Sequence, residues 1–242
     1  MIGNYNPTGF SIASDGNGGT NITWNHAAPV IATDQISTVQ NGDGSTTILG
    51  LHVFDSDPAA STETFTFGAT TAAAGSSVTL STSSGLLTDI NNVLTAGPTY
   101  HPGAVPPSTD KVTLSVTDGF GAADTVNFVF NQAGTGPNVV LQGTSGKDVI
   151  FATGNQDVLT GGGGADQFVF KPTSLGPSVQ HTITDFVVGL DKIDVRQFAS
   201  ISSLPSDVQQ GSDTLITLDN HDTLLLKNVV ASSLHAGDFI FA

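Results

Sequence analysis

The amino-acid sequence predicts an all-β chain: a β-sandwich, then a short parallel β-roll, then a C-terminal β cap. Three observations carry that expectation. Apolar and polar residues alternate in many short runs, among them Phe65/Phe67, Val112/Leu114/Val116, Val126/Phe128/Phe130 and Leu224/Leu226. A period of two is the mark of strands with one buried face. Glycines number 28, and among 21 acidic residues Glu63 is the only glutamate; aspartate and glycine belong to turns, glutamate to helices. Finally, three nine-residue segments of one pattern follow each other without a gap from Gly143 to Val169.

The elements fall in order along the chain. Residues 1–26 predict a hairpin, with Phe10/Ile12 and Ile22/Trp24 flanking the turn-rich stretch Asp15 to Gly19. Asp15-Gly16-Asn17 opens like a helix–loop–helix calcium loop, but the closing Glu is absent and position 26 is His, so a plain turn is expected. Residues 27–133 have the strand spacing of a sandwich of immunoglobulin size. One helix is expected inside it, where Leu86, Leu87, Ile90, Val93 and Leu94 recur at spacings of three and four. Thr88 is its candidate cap and Gly97-Pro98 its stop. Residues 134–142 read as a linker, 143–170 as the roll and 171–242 as the cap, where short alternating strands return.

The nonapeptides are Gly143 to Phe151, Ala152 to Thr160 and Gly161 to Val169. Their sixth positions are Asp148, Asp157 and Asp166, and their eighth are Ile150, Leu159 and Phe168. This is the G-G-x-G-x-D-x-U-x pattern of a calcium-binding β-roll. The first six residues turn so that carbonyls and one carboxylate converge, which glycine permits by lacking a Cβ. The last three form a strand whose large eighth residue points inward. Calcium suits such a site because it takes six to eight oxygen ligands in flexible geometry. Turns two repeats apart share a face, so the expected site joins Asp148 and Asp166 to the carbonyls of Thr144, Gly146, Gly161 and Gly163. Asp157 lies on the opposite face and needs a downstream partner; its turn is degenerate, with Ala152, Thr153 and Asn155 in place of glycines.

Composition narrows the function. Six Lys and Arg face 21 acids for a net charge of −15, which disfavours nucleic acid and favours divalent cations. No apolar run is long enough to insert into a membrane. Cysteine is absent, so disulfides and thiolate metal sites are excluded. The amino terminus shows no secretory signal pattern. Gly146-Lys147 does not make a phosphate loop, because Leu141 and Asp148 stand where that motif needs Gly and Ser or Thr. No His-Glu-x-x-His or Gly-x-Ser-x-Gly occurs, and His26, His52, His101, His181, His221 and His235 are scattered, so no enzyme is expected within the chain.

The nonapeptides, followed by Phe168-Val169-Phe170, Ile183-Thr184-Asp185-Phe186, Gly189 and Asp191-Lys192-Ile193-Asp194, resemble the repeats-in-toxin family of type I secreted proteins. Val195-Arg196 departs from the family's Leu-Ser. The resemblance implies calcium as the bound ion, with Asp185 and Asp191 completing the site begun by the second turn. The ending Ala236-Gly237-Asp238-Phe239-Ile240-Phe241-Ala242 is similar to the family's uncleaved export signal, which implies an ABC-type exporter as partner and a secreted or bacterial cell-surface location. A closing strand is the other reading of the same residues.

Within 27–133, Ala28-Pro29-Val30, Val53 to Asp57, Ile90 to Leu94, Tyr100-His101-Pro102 and Val116 to Gly119 resemble a bacterial cadherin-like repeat. That resemblance implies that Asp55, Asp57 and Asp118 are calcium ligands; solvated turn acids are the alternative. The hairpin before Ala27 looks like the tail of a preceding repeat. The expected function is the calcium-binding end of an adhesin that meets a cell surface, polysaccharide or neighbouring repeats. The alternative is the non-catalytic tail of a secreted hydrolase or epimerase.

Overall fold

A computed structural model describes residues 10–24, 26–57, 60, 62–80, 83–104, 109–131, 139–152, 156–173 and 178–242. The chain is nearly all β, as the period-two runs require. Strands Phe10–Ser14 and Thr20–Trp24 pair antiparallel. Their turn is closed by the Asp15 carboxylate, which accepts the N–H groups of Asn17 and Gly19, each at 2.8 Å.

Two sheets then face each other across one core. The smaller runs in the order Ser37–Gln40, Thr46–Leu49, Thr99–His101, Ser77–Thr79. The larger contains Ala123–Asn131, Thr109–Thr117, Phe65–Thr71 and Ser84–Gly85. Along Thr109–Thr117 every second residue is buried, so Val112, Leu114 and Val116 meet Ile48, Phe67, Phe128 and Tyr100 in the core. The helix spans Leu87–Ala96 and buries Ile90 and Leu94. Thr88, the expected cap, instead lies within the first turn, because the Asp89 carboxylate reaches back to the Leu86 N–H at 3.1 Å. Gly97 does end the helix: at φ 79° it sits where an added Cβ would stand 2.2 Å from the Ile48 carbonyl oxygen.

The second half is a parallel roll with two walls. One wall pairs Lys147–Phe151 with Gln167–Val169, then Lys192–Asp194, then Phe239–Ile240. The other pairs Val140–Gln142, Val158–Thr160, Val179–Ile183 and Asp222–Leu226, all parallel. An antiparallel margin of Asp213–Thr217 and Asp207–Gln210 completes it. Ile150, Leu159 and Phe168 are fully buried between the walls with Leu141, Ile183, Ile193 and Leu224.

The expected linker reads differently in three dimensions. Its centre lies outside the described residues, but Val140–Gln142 is already a rung of the roll. The roll also runs past residue 170, since strands from 179 to 240 extend both walls. Most consequentially, Ala123–Asn131 pairs in parallel with Lys147–Phe151. Sandwich and roll thus share one eight-stranded sheet. Phe130 stacks on Phe151 across that seam, with ring centroids 5.1 Å apart.

Candidate metal centre

The turn of the first nonapeptide lies directly on that of the third. The Gly163 N–H donates to the Thr144 carbonyl at 2.9 Å. A Cβ on Gly162 would stand 1.8 Å from that same oxygen, and one on Gly164 would stand 2.6 Å from the Gly146 carbonyl oxygen. The opening glycines serve the carboxylates as well. A Cβ on Gly161 would lie 2.3 Å from Asp166 Oδ2, and one on Gly143 would lie 3.0 Å from Asp148 Oδ2. Each aspartate folds back over the glycine that begins its own turn.

Strand register stacks Asp148, Asp166 and Asp191 into a column, one per rung, at the interstrand spacing of about 4.8 Å. The Asp148 N–H donates to Asp166 Oδ1 at 3.0 Å, and the Asp166 N–H to Asp191 Oδ1 at 3.0 Å. Asp185 stands alongside and accepts the N–H groups of Gly161 and Gly162 at 2.9 and 2.8 Å. All three column acids are at most 2% exposed. Burial pushes the Asp148 and Asp191 carboxyls up. Burial, with the charges of Asp191, Asp148 and Asp185, pushes Asp166 up to about 7.

Asp185 and Asp191 were expected beside the second turn and Asp157. The structure places them against the third turn, because the strand that follows, Lys192–Asp194, pairs with Gln167–Val169 on the wall that carries Asp166. On the opposite wall Asp157 falls in register between Val139 and His181. The His181 ring is 1% exposed, with Nδ1 3.8 Å from Asp157 Oδ2. Burial holds its pKa below the usual histidine range. Among the described residues the register neighbours of Asp157 are thus Val139 and His181, whereas those of Asp166 are Asp148 and Asp191. His181 gave no signal in the sequence, since 24 residues separate it from Asp157 and break the period of nine.

A second group lies at one end of the sandwich. Ligand atoms of Asp55, Asp57 and Asp118 all lie within 4.8 Å of one another. Asp57 is engaged by the His26 ring at 2.9 Å and the Ala27 N–H at 3.1 Å. Asp55 Oδ2, Asp118 Oδ2 and both Glu63 carboxylate oxygens are buried atoms without a hydrogen-bond partner. Glu63 is the member that sequence reasoning passed over. Burial, then the charges of Asp55, Asp118 and Asp57, raises its pKa. Its signal was available: the chain's one glutamate among 20 aspartates, six residues beyond Asp57.

Both places fit a hard cation on their own chemistry. They offer oxygen donors only, as calcium requires. Asp148 Oδ1 is buried and has no hydrogen-bond partner, a costly state for a carboxylate unless a cation answers it. The Thr144, Gly146, Gly161 and Gly163 carbonyls belong to the two stacked turns, and that of Thr144 accepts the Gly163 N–H.

Residues 135–210 match the family profile described as Peptidase M10 serralysin C terminal. No curated protein matches the chain. The extracellular lipase LipA from Serratia marcescens aligns over 54% of this chain and 29% of its own, at 15% identity and a TM-score of 0.30. The AlgE6R3 subunit of the Azotobacter vinelandii mannuronan C5-epimerase aligns over 43% of this chain and 78% of its own, at 19% identity and a TM-score of 0.24. The chain thus spans less than a third of the lipase's length, and both TM-scores are below those of a shared overall fold.

Proposed function

We propose that this chain is the calcium-binding C-terminal module of an exported bacterial protein, non-catalytic in itself, whose roll closes on calcium outside the cell. The observation that carries the reading is the buried column Asp148–Asp166–Asp191 with an oxygen of Asp148 left unanswered. The match of residues 135–210 to the serralysin C-terminal profile supports it. Calcium sites of extracellular modules bind at about 10⁻⁴–10⁻³ M, so such a site stays empty in a cytosol and fills outside.

In this reading residues 143–170 with 171–242 are the calcium-folding unit, and 27–133 is a cadherin-like unit of an adhesin. The sandwich-end group Asp55, Asp57 and Asp118, joined by Glu63, holds a second calcium ion. Native mass spectrometry is expected to show one ion fewer for Asp118→Asn than for the wild type. An unchanged count contradicts this assignment. A second reading, the tail of a secreted enzyme, is favoured by the profile on the roll, which is named for a peptidase. The sequence preceding this segment separates the two: further sandwich repeats indicate an adhesin, a catalytic domain the tail.

The final segment has a structural role that bears on export. Phe239–Ile240 pairs with Lys192–Asp194, and buried Asp238 accepts the Gly189 N–H at 2.8 Å. A type I exporter reading these residues must therefore act before the roll closes. Deleting Gly237 to Ala242 is expected to retain the protein in cells that carry a matched ABC exporter. Retention of a variant that still folds on calcium in vitro supports a signal. Secretion at the wild-type level defeats it.

A further inference from the structure

We infer that Asn127, a residue of the sandwich, is a positioning residue for the roll's calcium site and forms the neutral end of its aspartate column. The inference deepens the calcium reading of the roll and rests on it. In the parallel pairing of Ala123–Asn131 with Lys147–Phe151, Asn127 stands in register with Asp148. It occupies the rung above the column, where another turn of the roll would place an aspartate. It is 8% exposed, and besides a 3.5 Å contact of its amide with the Lys147 carbonyl its side chain takes part in a directed chain of hydrogen bonds.

The chain begins on the neighbouring strand of the same sheet at Thr113, the cross-strand partner of Asn127. The Thr113 hydroxyl donates to Asn127 Oδ1 at 2.8 Å. With its oxygen so engaged, the Asn127 amide group donates to Thr144 Oγ1 at 3.1 Å. The Thr144 hydroxyl must then send its own proton onward, to Asp148 Oδ2 at 2.9 Å. The Thr144 N–H donates to that same oxygen at 2.8 Å. Asp148 is therefore held by Oδ2, and Oδ1 is the oxygen left for a cation. A partner that fixes a ligand's rotamer sustains metal affinity without touching the metal.

Asparagine suits this rung for two reasons. An aspartate here would add a like charge beside Asp148, with no turn above it to supply carbonyls. It would also have no N–H to give, so the Thr144 hydroxyl would turn toward it and release Asp148. The seam holds Asn127 firmly in register. The Lys147 ammonium donates to the Ile31 carbonyl at 2.6 Å, and Arg196 reaches the Ile36 carbonyl at 2.6 Å while pairing with Asp194. Arg196, with Val195, stands where the resembled pattern has Leu-Ser, and in this chain it ties roll to sandwich.

The test uses the full chain and calcium itself as the probe. Calcium affinity is measured by titration, and melting is followed in EDTA and in saturating calcium. Asn127→Ala and Asn127→Asp are each expected to weaken roll calcium binding roughly tenfold. Thr113→Val, which keeps the amide but frees its orientation, is expected to weaken it less, in the same direction. In each variant the calcium-induced rise in melting temperature should shrink. Wild-type affinity in Asn127→Ala overturns the inference. So does an equal fall in melting temperature with and without calcium, which is the mark of a purely structural contact. Failure of the underlying reading looks different: the wild type itself would then show no calcium response in the roll.

Discussion

Asp166→Asn is expected to change the protein in opposite directions with and without calcium. In the metal-free protein the Asp166 carboxyl is pushed up to about 7 by burial and by Asp191, Asp148 and Asp185. Its unfolded value is near 3.8. A carboxyl whose folded pKa is raised favours the folded state fully below the unfolded value, and that contribution is lost as pH rises through about 7. Above pH 7 the charged group opposes folding of the empty roll. Asparagine removes the charge and keeps an oxygen to accept the Asp148 N–H. The variant's melting temperature in EDTA should therefore exceed the wild type's at pH 8 and approach it near pH 4. With calcium the order reverses, because a charged ligand at the centre of the column is gone. Affinity should fall roughly 100-fold, about 2.7 kcal/mol. Asp157→Asn should cost far less, since the register neighbours of Asp157 are Val139 and His181. Equal losses of affinity from the two substitutions would mean that both faces bind calcium alike.

Gly162→Ala is expected to be the most damaging single methyl in the roll. At φ 97° the added Cβ would stand 1.8 Å from the Thr144 carbonyl oxygen and 2.9 Å from its carbon. Both belong to the backbone of the turn that must lie on this one, so no rotamer change relieves the clash. The third turn would lift from the first, breaking the Gly163 to Thr144 hydrogen bond that joins them. A loss of roughly 3 kcal/mol or more is expected, with the calcium response lost as well. Gly189→Ala is the matched control. It has φ 79° but nothing within 4 Å of the added Cβ, so left-handed strain alone applies, at about 1–2 kcal/mol. Denaturant unfolding in saturating calcium compares them. Similar losses for the two variants would show that turn stacking contributes nothing beyond backbone strain.

What was legible in the sequence was whatever a short period can carry. Alternation gave the strands, and the ninefold spacing of Asp148, Asp157 and Asp166 with Ile150, Leu159 and Phe168 gave the roll and its two faces. The fate of the second face was not legible, because the rung beneath Asp157 arrives after a long excursion and presents His181. Asp185 and Asp191 came to the wall of Asp166 because Lys192–Asp194 pairs there, a matter of which sheet each later strand joins and not of local pattern. The seam was hidden for a related reason. A glycine-rich stretch at 134–138 reads as a linker, while the pairing of Ala123–Asn131 with Lys147–Phe151 is a contact between segments that no local period relates. Thr88 looked like a cap by residue type, but the Asp89 carboxylate, one position on, reaches the free N–H. Asp55, Asp57 and Asp118 were marked by short motifs; Glu63 joined them only when folding brought the bend before Phe65–Thr71 to the same end.

The central claim is that calcium binding and closure of the roll are one event, since the column buries three carboxylates side by side and leaves Asp148 Oδ1 without a hydrogen-bond partner. Circular dichroism and thermal melting of the full chain test it most directly, first in EDTA and then with calcium raised through about 10⁻⁴–10⁻³ M. The account predicts that calcium increases β signal and raises the melting temperature, and that EDTA reverses both. A spectrum and melting temperature that stay the same from EDTA to saturating calcium would contradict it.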